Sequence, residues 1–263
     1  MILGYLGAIL VGLTLGLLGG GGSILTVPIL VYLLAINPVL ATAYSLFVVG
    51  ITSLIGAIRN IMKGMVDVKV AVVFAVPAFV AVYLTRRFLV PAIPEEIFRI
   101  GEFSLTKDLG IMLFFALIML AASYSMIRGR KEKKQEEEVK LNLPLILIEG
   151  IVVGVLTGIV GAGGGFLIIP ALVLFANLPM KRAVATSLLI IAAKSLIGFL
   201  GDVQTLAIDW VFLLTFSGLS VVGIFIGIYL NRFIDGKSLK KAFGWFVLIM
   251  GIYIILKELF FNS

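Results

Sequence analysis

One glycine-rich segment occurs twice in this chain, and both copies lie within strongly apolar sequence. The first copy, residues 16–28, reads GLLGGGGSILTVP, and the second, residues 158–170, reads GIVGAGGGFLIIP. In a lipid bilayer, irregular backbone is tolerated only where protein or a water-filled cavity covers it. Paired interruptions at corresponding positions of two repeats therefore indicate broken membrane helices around the binding site of a secondary transporter.

The composition predicts a polytopic membrane protein. Hydrophobic residues make up 61% of the chain, charged residues 13%, and the mean hydropathy is +1.21. The charged fraction is about half that of a typical soluble domain. The net charge of +7 does not indicate a nucleic-acid partner, because basic residues gather at the ends of apolar segments, as the positive-inside rule expects.

The chain contains neither cysteine nor histidine. Their absence excludes disulfides, thiolate chemistry and iron–sulfur clusters, and it removes the commonest general base and metal ligand. We therefore predict no enzymatic activity, no cofactor and no metal site. An intramembrane enzyme is the weaker alternative, because a serine–histidine pair is impossible here.

The predicted fold is an all-α membrane protein with two inverted repeats, residues 1–127 and 144–263, joined by a charged cytoplasmic linker at 128–143. The elements beside each glycine cluster have about 14 residues and reach about 21 Å, whereas a span needs about 30 Å. Each such pair is either a re-entrant hairpin or two short buried crossings. The expected apolar elements are 3–18, 23–36, 39–61, 68–90, 108–127, 144–160, 165–178, 183–201, 207–231 and 238–261.

The two halves align without a gap at a constant offset of 142 residues, from Gly12 to Asp67 in the first half. Five elements per half would invert the second half, and the basic residues mostly agree, placing the linker inside and both termini outside. Arg86 and Arg87 are exceptions, since they fall on the outer side. The offset pairs include Gly16 with Gly158, Pro28 with Pro170, Ser45 with Ser187, Gly56 with Gly198, and Asp67 with Asp209.

Each glycine cluster and its proline is followed by an Ala-x-Ser-Leu block, at 43–46 and 185–188, and by a Ser-x-x-Gly block, at 53–56 and 195–198. This doubled pattern resembles the TauE/SafE sulfite exporter family over nearly the whole chain. The resemblance implies transport of small sulfur-containing or organic anions across a prokaryotic cytoplasmic membrane. Tyr44 departs from the pattern, because the second copy has the more usual Thr186.

The glycine clusters are the first candidate binding elements. Interrupted helix pairing frees backbone amides, and helix N-termini carry partial positive charge, so both are suitable ligands for an anion. The alternative is that small residues let helices pack closely. Ser23 could also cap the element that follows the first cluster. The candidates here are Gly20, Gly21, Gly22, Ser23, Gly163, Gly164 and Gly165.

Lys194 is the most informative single residue, because it lies well inside an apolar segment and its repeat partner is the neutral Thr52. An intramembrane charge usually faces a partner or a watery cavity, and an anionic substrate would be such a partner. Glu149 is the candidate for proton coupling. Asn60, Asp67, Asp202 and Asp209 are expected to cap helices or lie at the interface. Candidate hydroxyl donors are Ser45, Ser53, Thr186, Ser187 and Ser195.

These features favour a secondary transporter that moves a small anion, a sulfur oxyanion or an organosulfonate, by alternating access between the two repeats. An anion channel built from the same repeats stays open as an alternative, because selectivity and gating use the same ingredients. The expected partners are the anion and the lipid bilayer, with a homo-oligomer possible.

Overall fold

The computed structural model describes residues 2–100, 103–128, 143–160, 165–174 and 178–260. In this part of the chain, ten main helices and one small hairpin follow one another. The first half contains α1 (Ile2–Leu18), α2 (Gly21–Pro28, continued by a π-helical turn Ile29–Leu33), α3 (Pro38–Met62), α4 (Val68–Leu84, continued by a π-helical turn Thr85–Leu89 and Val90–Ala92), β1 (Glu96–Ile100), β2 (Phe103–Thr106) and α5 (Lys107–Arg128). The second half contains α6 (Leu143–Val160), α7 (Gly165–Leu174), α8 (Met180–Val203), α9 (Trp210–Leu230, continued by a 3-10 turn Asn231–Phe233) and α10 (Gly236–Phe260).

The ten helices agree with the ten expected apolar elements, and the membrane-spanning part is all-α as predicted. The hairpin of β1 and β2 was not expected. It pairs Phe98 with Leu105 and Ile100 with Phe103 in antiparallel register, with an irregularity between Glu96 and Phe98. It lies in the stretch at 91–108 that the sequence marks only as polar.

Four of the described helices are long and apolar enough to cross a membrane: α3, α4 with its extension, α8, and α9 with its extension. The helices beside the glycine clusters are shorter. Helix α7 has 10 residues, which corresponds to about 15 Å and is half of a bilayer core.

Helix α4 shows how the chain meets lipid. Apolar side chains that are about half exposed recur every four residues along one face, and the opposite face is buried in the protein. A continuous apolar stripe of this kind suits hydrocarbon and not water. The exposed residues are Val68, Val72, Val76, Val80 and Leu84, and the buried ones are Val70, Phe74, Ala78 and Val82.

The two halves pack reciprocally. Helix α1 of the first half packs on α9 of the second, and α6 of the second packs on α4 of the first. Gly12 faces the backbone of Ser220, and Gly154 faces the backbone of Ala78. Gly154 is the 142-offset partner of Gly12, and Ala78 is the 142-offset partner of Ser220. The central pair is α3 against α8, and α5 packs against α10.

Two hydrogen bonds between the halves also join offset-related residues. Asp67 N–H donates to Thr186 Oγ1 (3.0 Å), and Asp209 N–H donates to Tyr44 Oη (2.8 Å). The carboxylates of both aspartates also cap helices. Asp67 accepts from Val70 N–H at the start of α4, and Asp209 accepts from Phe212 N–H at the start of α9. The expected capping role of these two aspartates is confirmed.

Candidate functional site

The glycines that open α2 and α7 lie against each other, after the first helix of each half. Gly19 has φ +67°, a left-handed conformation that favours glycine and turns the chain out of α1. Gly20 lies directly against Gly165, so that a Cβ on either residue would overlap the backbone of the other. Gly163 and Gly164 lie outside the described residues. The backbone approach of Gly20 to Gly165 brings the start of α2 to the start of α7.

The start of α2 differs in detail from the expected cap. The helix begins at Gly21, and Gly20 is its N-cap residue with no side-chain capping hydrogen bond. Ser23 is therefore the third residue of the helix and not its cap, which corrects that prediction. Gly22 packs against Val11 and Leu15 of α1, so it provides the close helix packing that was the alternative reading.

Lys194 of α8 is completely buried. Its Nζ donates a hydrogen bond of 2.6 Å to Thr157 Oγ1 of α6. Neither of the two ion pairs found among the described residues includes this lysine. Within the described part of the chain, the Lys194 amine thus has one neutral acceptor, and its further N–H donors lie in a region where charge requires compensation. Sequence reasoning missed Thr157, because a lone threonine in an apolar helix carries no distinguishing pattern.

The candidate hydroxyls divide into two groups. Ser45, Ser53 and Ser195 are fully buried, and their hydroxyls have no hydrogen-bond partner among the residues that the structure describes. Ser187 instead donates to the Val184 carbonyl of its own helix (2.8 Å). Thr186 accepts from the other half, as described above. The unpartnered hydroxyls lie on α3 and α8, the two helices that pack at the centre.

Glu149 lies on α6, partly exposed. It is eight residues before Thr157, which corresponds to about 12 Å along the helix axis. Its neighbour Gly150 packs against Pro77 and Phe74 of α4. In the described part of the chain, Glu149 has no ion-pair partner.

Arg86 is a buried cation that sequence reasoning did not select. It lies in the π-helical turn after α4, and π-turns occur often at functional sites. Its Nη2 lies 2.7 Å from Asp202 Oδ2, and its Nε donates to the same oxygen (2.8 Å). Its Nη1 donates to Thr42 Oγ1 (3.0 Å) and the Gly158 carbonyl (3.3 Å).

This contact corrects two expectations. Asp202 was expected to cap a helix or lie at the interface, but it is 3% exposed and holds a buried guanidinium. Arg86 was an exception to the positive-inside pattern. Its buried ion pair explains the exception, because the rule concerns charges in the loops near the membrane ends.

A pocket of about 300 Å³ opens at the ends of α3, α8 and α9. Lys63, Lys181 and Arg232 line it together with Asn60 and Asn231. Its lining includes no acidic residue among the described ones. Burial lowers the pKa of Lys63, and the neighbouring Arg59 and Arg232 charges lower it further. The basic pocket is therefore a place where positive charges are crowded together.

The helices, the lipid-facing stripes and the reciprocal halves define a multi-pass membrane protein, and its relatives are transporters. The chain belongs to the family described as sulfite exporter TauE/SafE, whose model matches residues 4–254. It is 32% identical over 252 residues to a probable membrane transporter protein of Xylella fastidiosa, covering 94% of this chain and 91% of the relative. It is 26% identical to the probable membrane transporter protein YunE of Bacillus subtilis, covering 93% of each chain. No solved structure matches this chain.

Proposed function

We propose that this protein is a secondary transporter that carries a small anion, a sulfur oxyanion or organosulfonate, across the cytoplasmic membrane. The observation that carries the proposal is Lys194, a fully buried lysine whose one hydrogen-bond partner among the described residues is the Thr157 hydroxyl. A charge at the centre of a membrane helix costs about 2.5–3.5 kcal/mol on insertion scales. An anion beside Lys194 would offset that cost.

The surroundings suit an oxyanion. Such an anion presents several acceptor oxygens, and the buried hydroxyls of Ser45, Ser53 and Ser195 are donors with no partner in the described ranges. They lie on α3 and α8, the same central pair of helices that carries Lys194. Hydrogen bonds to charged groups contribute about 1.5–3 kcal/mol each. A few such bonds would favour the bound anion over the hydrated anion.

The helix directions support alternating access. Lys63 follows the C-terminus of α3 and Lys181 is at the N-terminus of α8, yet both line the basic pocket. These repeat-related helices therefore run in opposite directions, as inverted repeats require. With the basic residues assigned to the cytoplasm, the pocket faces inward and both termini face outward.

Flux measurements in proteoliposomes test the proposal. The anions to screen are sulfite, thiosulfate, sulfoacetate, taurine and simple carboxylates. We expect saturable flux that follows an ion gradient for at least one of them. Flux that does not saturate and is carried as a conductance would establish the anion channel instead, and no flux of any anion would refute both.

The variant Lys194→Met tests the site itself. We expect kcat/KM to fall about tenfold to a hundredfold, since a charged hydrogen bond of about 1.5–3 kcal/mol is lost, and Lys194→Arg to recover part of it. Lys69→Met is the matched control, because Lys69 is exposed at the start of α4. Unchanged transport by a folded Lys194→Met protein would remove the observation on which the proposal stands.

A further inference from the structure

The basic pocket has a repeat-related counterpart, and the counterpart is filled. Under the 142-residue offset, three residues that line the pocket correspond to the three residues that bind Arg86. Arg86 itself corresponds to Ile228, which also lines the pocket. The three correspondences are Asn60 with Asp202, Val184 with Thr42, and Gly16 with Gly158.

The correspondence is structural as well as sequential. Gly16 packs against Ile224 and Gly227 of α9. Gly158 packs against Val82 and Thr85 of α4, which are the 142-offset partners of those two residues. The same backbone frame therefore surrounds an open pocket at one end of the protein and the Arg86 side chain at the other.

We propose that the basic pocket is the open entrance for the transported anion, and that the Arg86–Asp202 pair closes the equivalent entrance on the opposite face. This inference rests on the proposed transport of an anion. It names an entry site and a closing contact that Lys194 and the glycine clusters do not include.

The chemistry of the pocket selects a small anion. Lys63, Lys181 and Arg232 surround it without an acid among the described lining residues, and Asn60 adds an amide donor. Three ammonium and guanidinium groups offer charge-assisted hydrogen bonds to an oxyanion. An anion there would also relieve the repulsion between the neighbouring cations.

The closing contact can be opened by the same chemistry. Asp202 presents a carboxylate to the Arg86 guanidinium, and a sulfonate or sulfite presents similar oxygens. An anion that reaches this face can therefore replace the carboxylate at Arg86 without leaving the cation unpaired. A buried ion pair adds little net stability over a neutral packing, so it suits a contact that must separate during transport.

Cysteine labelling tests the inference, and the chain has no native cysteine. Ala185 lines the pocket and is 3% exposed, and its offset partner Ala43, beside Thr42, is 0% exposed. We expect a membrane-impermeant maleimide to modify Ala185→Cys from one side of the membrane. It should leave Ala43→Cys unmodified from either side. Equal labelling of both variants would overturn the proposed difference between the entrances.

The closing contact is tested by giving one entrance the residues of the other. Arg86→Ile with Asp202→Asn places the residue types of Ile228 and Asn60 around Ala43→Cys, and it leaves no buried charge unpaired. Labelling from the opposite face should rise at least about tenfold, in proportion to the open population. A folded, monodisperse double variant with unchanged labelling would refute the closing role.

A reciprocal variant keeps the test decisive if that protein does not fold. Ile228→Arg with Asn60→Asp should form the ion pair in the open pocket and slow the labelling of Ala185→Cys by a similar factor. If the two changes leave that rate as it was, the Arg86–Asp202 pair is not a closing contact.

Protection of Ala185→Cys from labelling tests the entry site separately. Sulfoacetate should protect Ala185→Cys from the maleimide, and Lys181→Gln should raise the concentration needed by about tenfold, whereas the exposed control Lys69→Gln should not. Failure of sulfoacetate, sulfate and acetate to protect would overturn the entry site.

The two proposals fail in different ways. Labelling as expected without flux of any anion would refute the transport function and leave the two entrances. Saturable flux with equal labelling of both entrances would support the transport function and refute the proposed difference between the entrances.

Discussion

The Arg86–Asp202 ion pair predicts a strongly non-additive effect on stability. Among the described residues, Asp202→Ala would remove the one carboxylate that forms an ion pair with the fully buried Arg86 guanidinium, leaving Nε without its acceptor and Nη2 without its ion-pair partner. Removing one partner of a buried pair costs about 3–5 kcal/mol. Arg86→Met should cost less, because the Asp202 carboxyl left behind can be neutralised by a proton.

Replacing both partners should restore much of the stability that Asp202→Ala loses. In Arg86→Met with Asp202→Ala no charge is buried, and such neutral packing is often as stable as the ion pair. We expect the double variant to be more stable than Asp202→Ala by at least about 2 kcal/mol, since coupling energies of residues in contact reach about 3 kcal/mol.

Equilibrium unfolding of the purified protein in mixed detergent micelles measures these values, with helical circular dichroism as the signal. The matched control is Lys69→Met with Asp67→Asn, an exposed lysine and a helix-capping aspartate that form no ion pair. A destabilisation of Asp202→Ala below about 1 kcal/mol, typical of an exposed pair, would refute the buried geometry. Strict additivity of the two single changes would refute the coupling.

Gly20→Ala should reduce the folded yield because its Cβ would overlap the opposing backbone, whereas Gly218→Ala, with open space around it, should not; equal yields in membranes would contradict the contact. Tyr44→Phe should lower the free energy of unfolding by about 1 kcal/mol, as the Asp209 amide loses its acceptor; no measurable change would argue against that hydrogen bond. Glu149→Gln should make anion flux independent of a pH gradient if this carboxylate carries the coupling proton, and retained dependence would exclude it.

The fold follows from local signals to a large extent. Apolar run lengths predict the ten main helices of the described residues, and the first glycine cluster predicts the break after α1; the second cluster's break lies outside the described residues. The aspartates before α4 and α9 act as caps because a carboxylate at that position satisfies free amides whatever the tertiary structure. The β1–β2 hairpin was not predicted, because its strands mix polar and apolar residues. They lie in a segment whose polarity indicates a surface location and no particular secondary structure.

The candidate site is less predictable, since its contacts join distant parts of the chain. Arg86 and Asp202 are 116 residues apart, and no periodicity relates them. The available signal was the exception that Arg86 makes to the charge rule. Lys194 could be selected because a lone charge in an apolar helix is costly wherever it lies. Its partner Thr157 could not, because the hydrogen bond depends on how α6 and α8 pack.

The repeat gives this protein two equivalent backbone frames, but the charges are not duplicated. Lys194, Asp202 and Arg86 correspond to Thr52, Asn60 and Ile228, so the two proposed entrances share a backbone frame and differ in charge. In the proposed cycle, opening the Arg86 side separates a buried ion pair, at a cost of about 3–5 kcal/mol when neither partner is replaced. Inverting a two-state population from 1:99 to 99:1 needs about 5.5 kcal/mol. An anion that binds Arg86 in place of Asp202 supplies energy of that order, so bound substrate would be the condition for the second entrance to open.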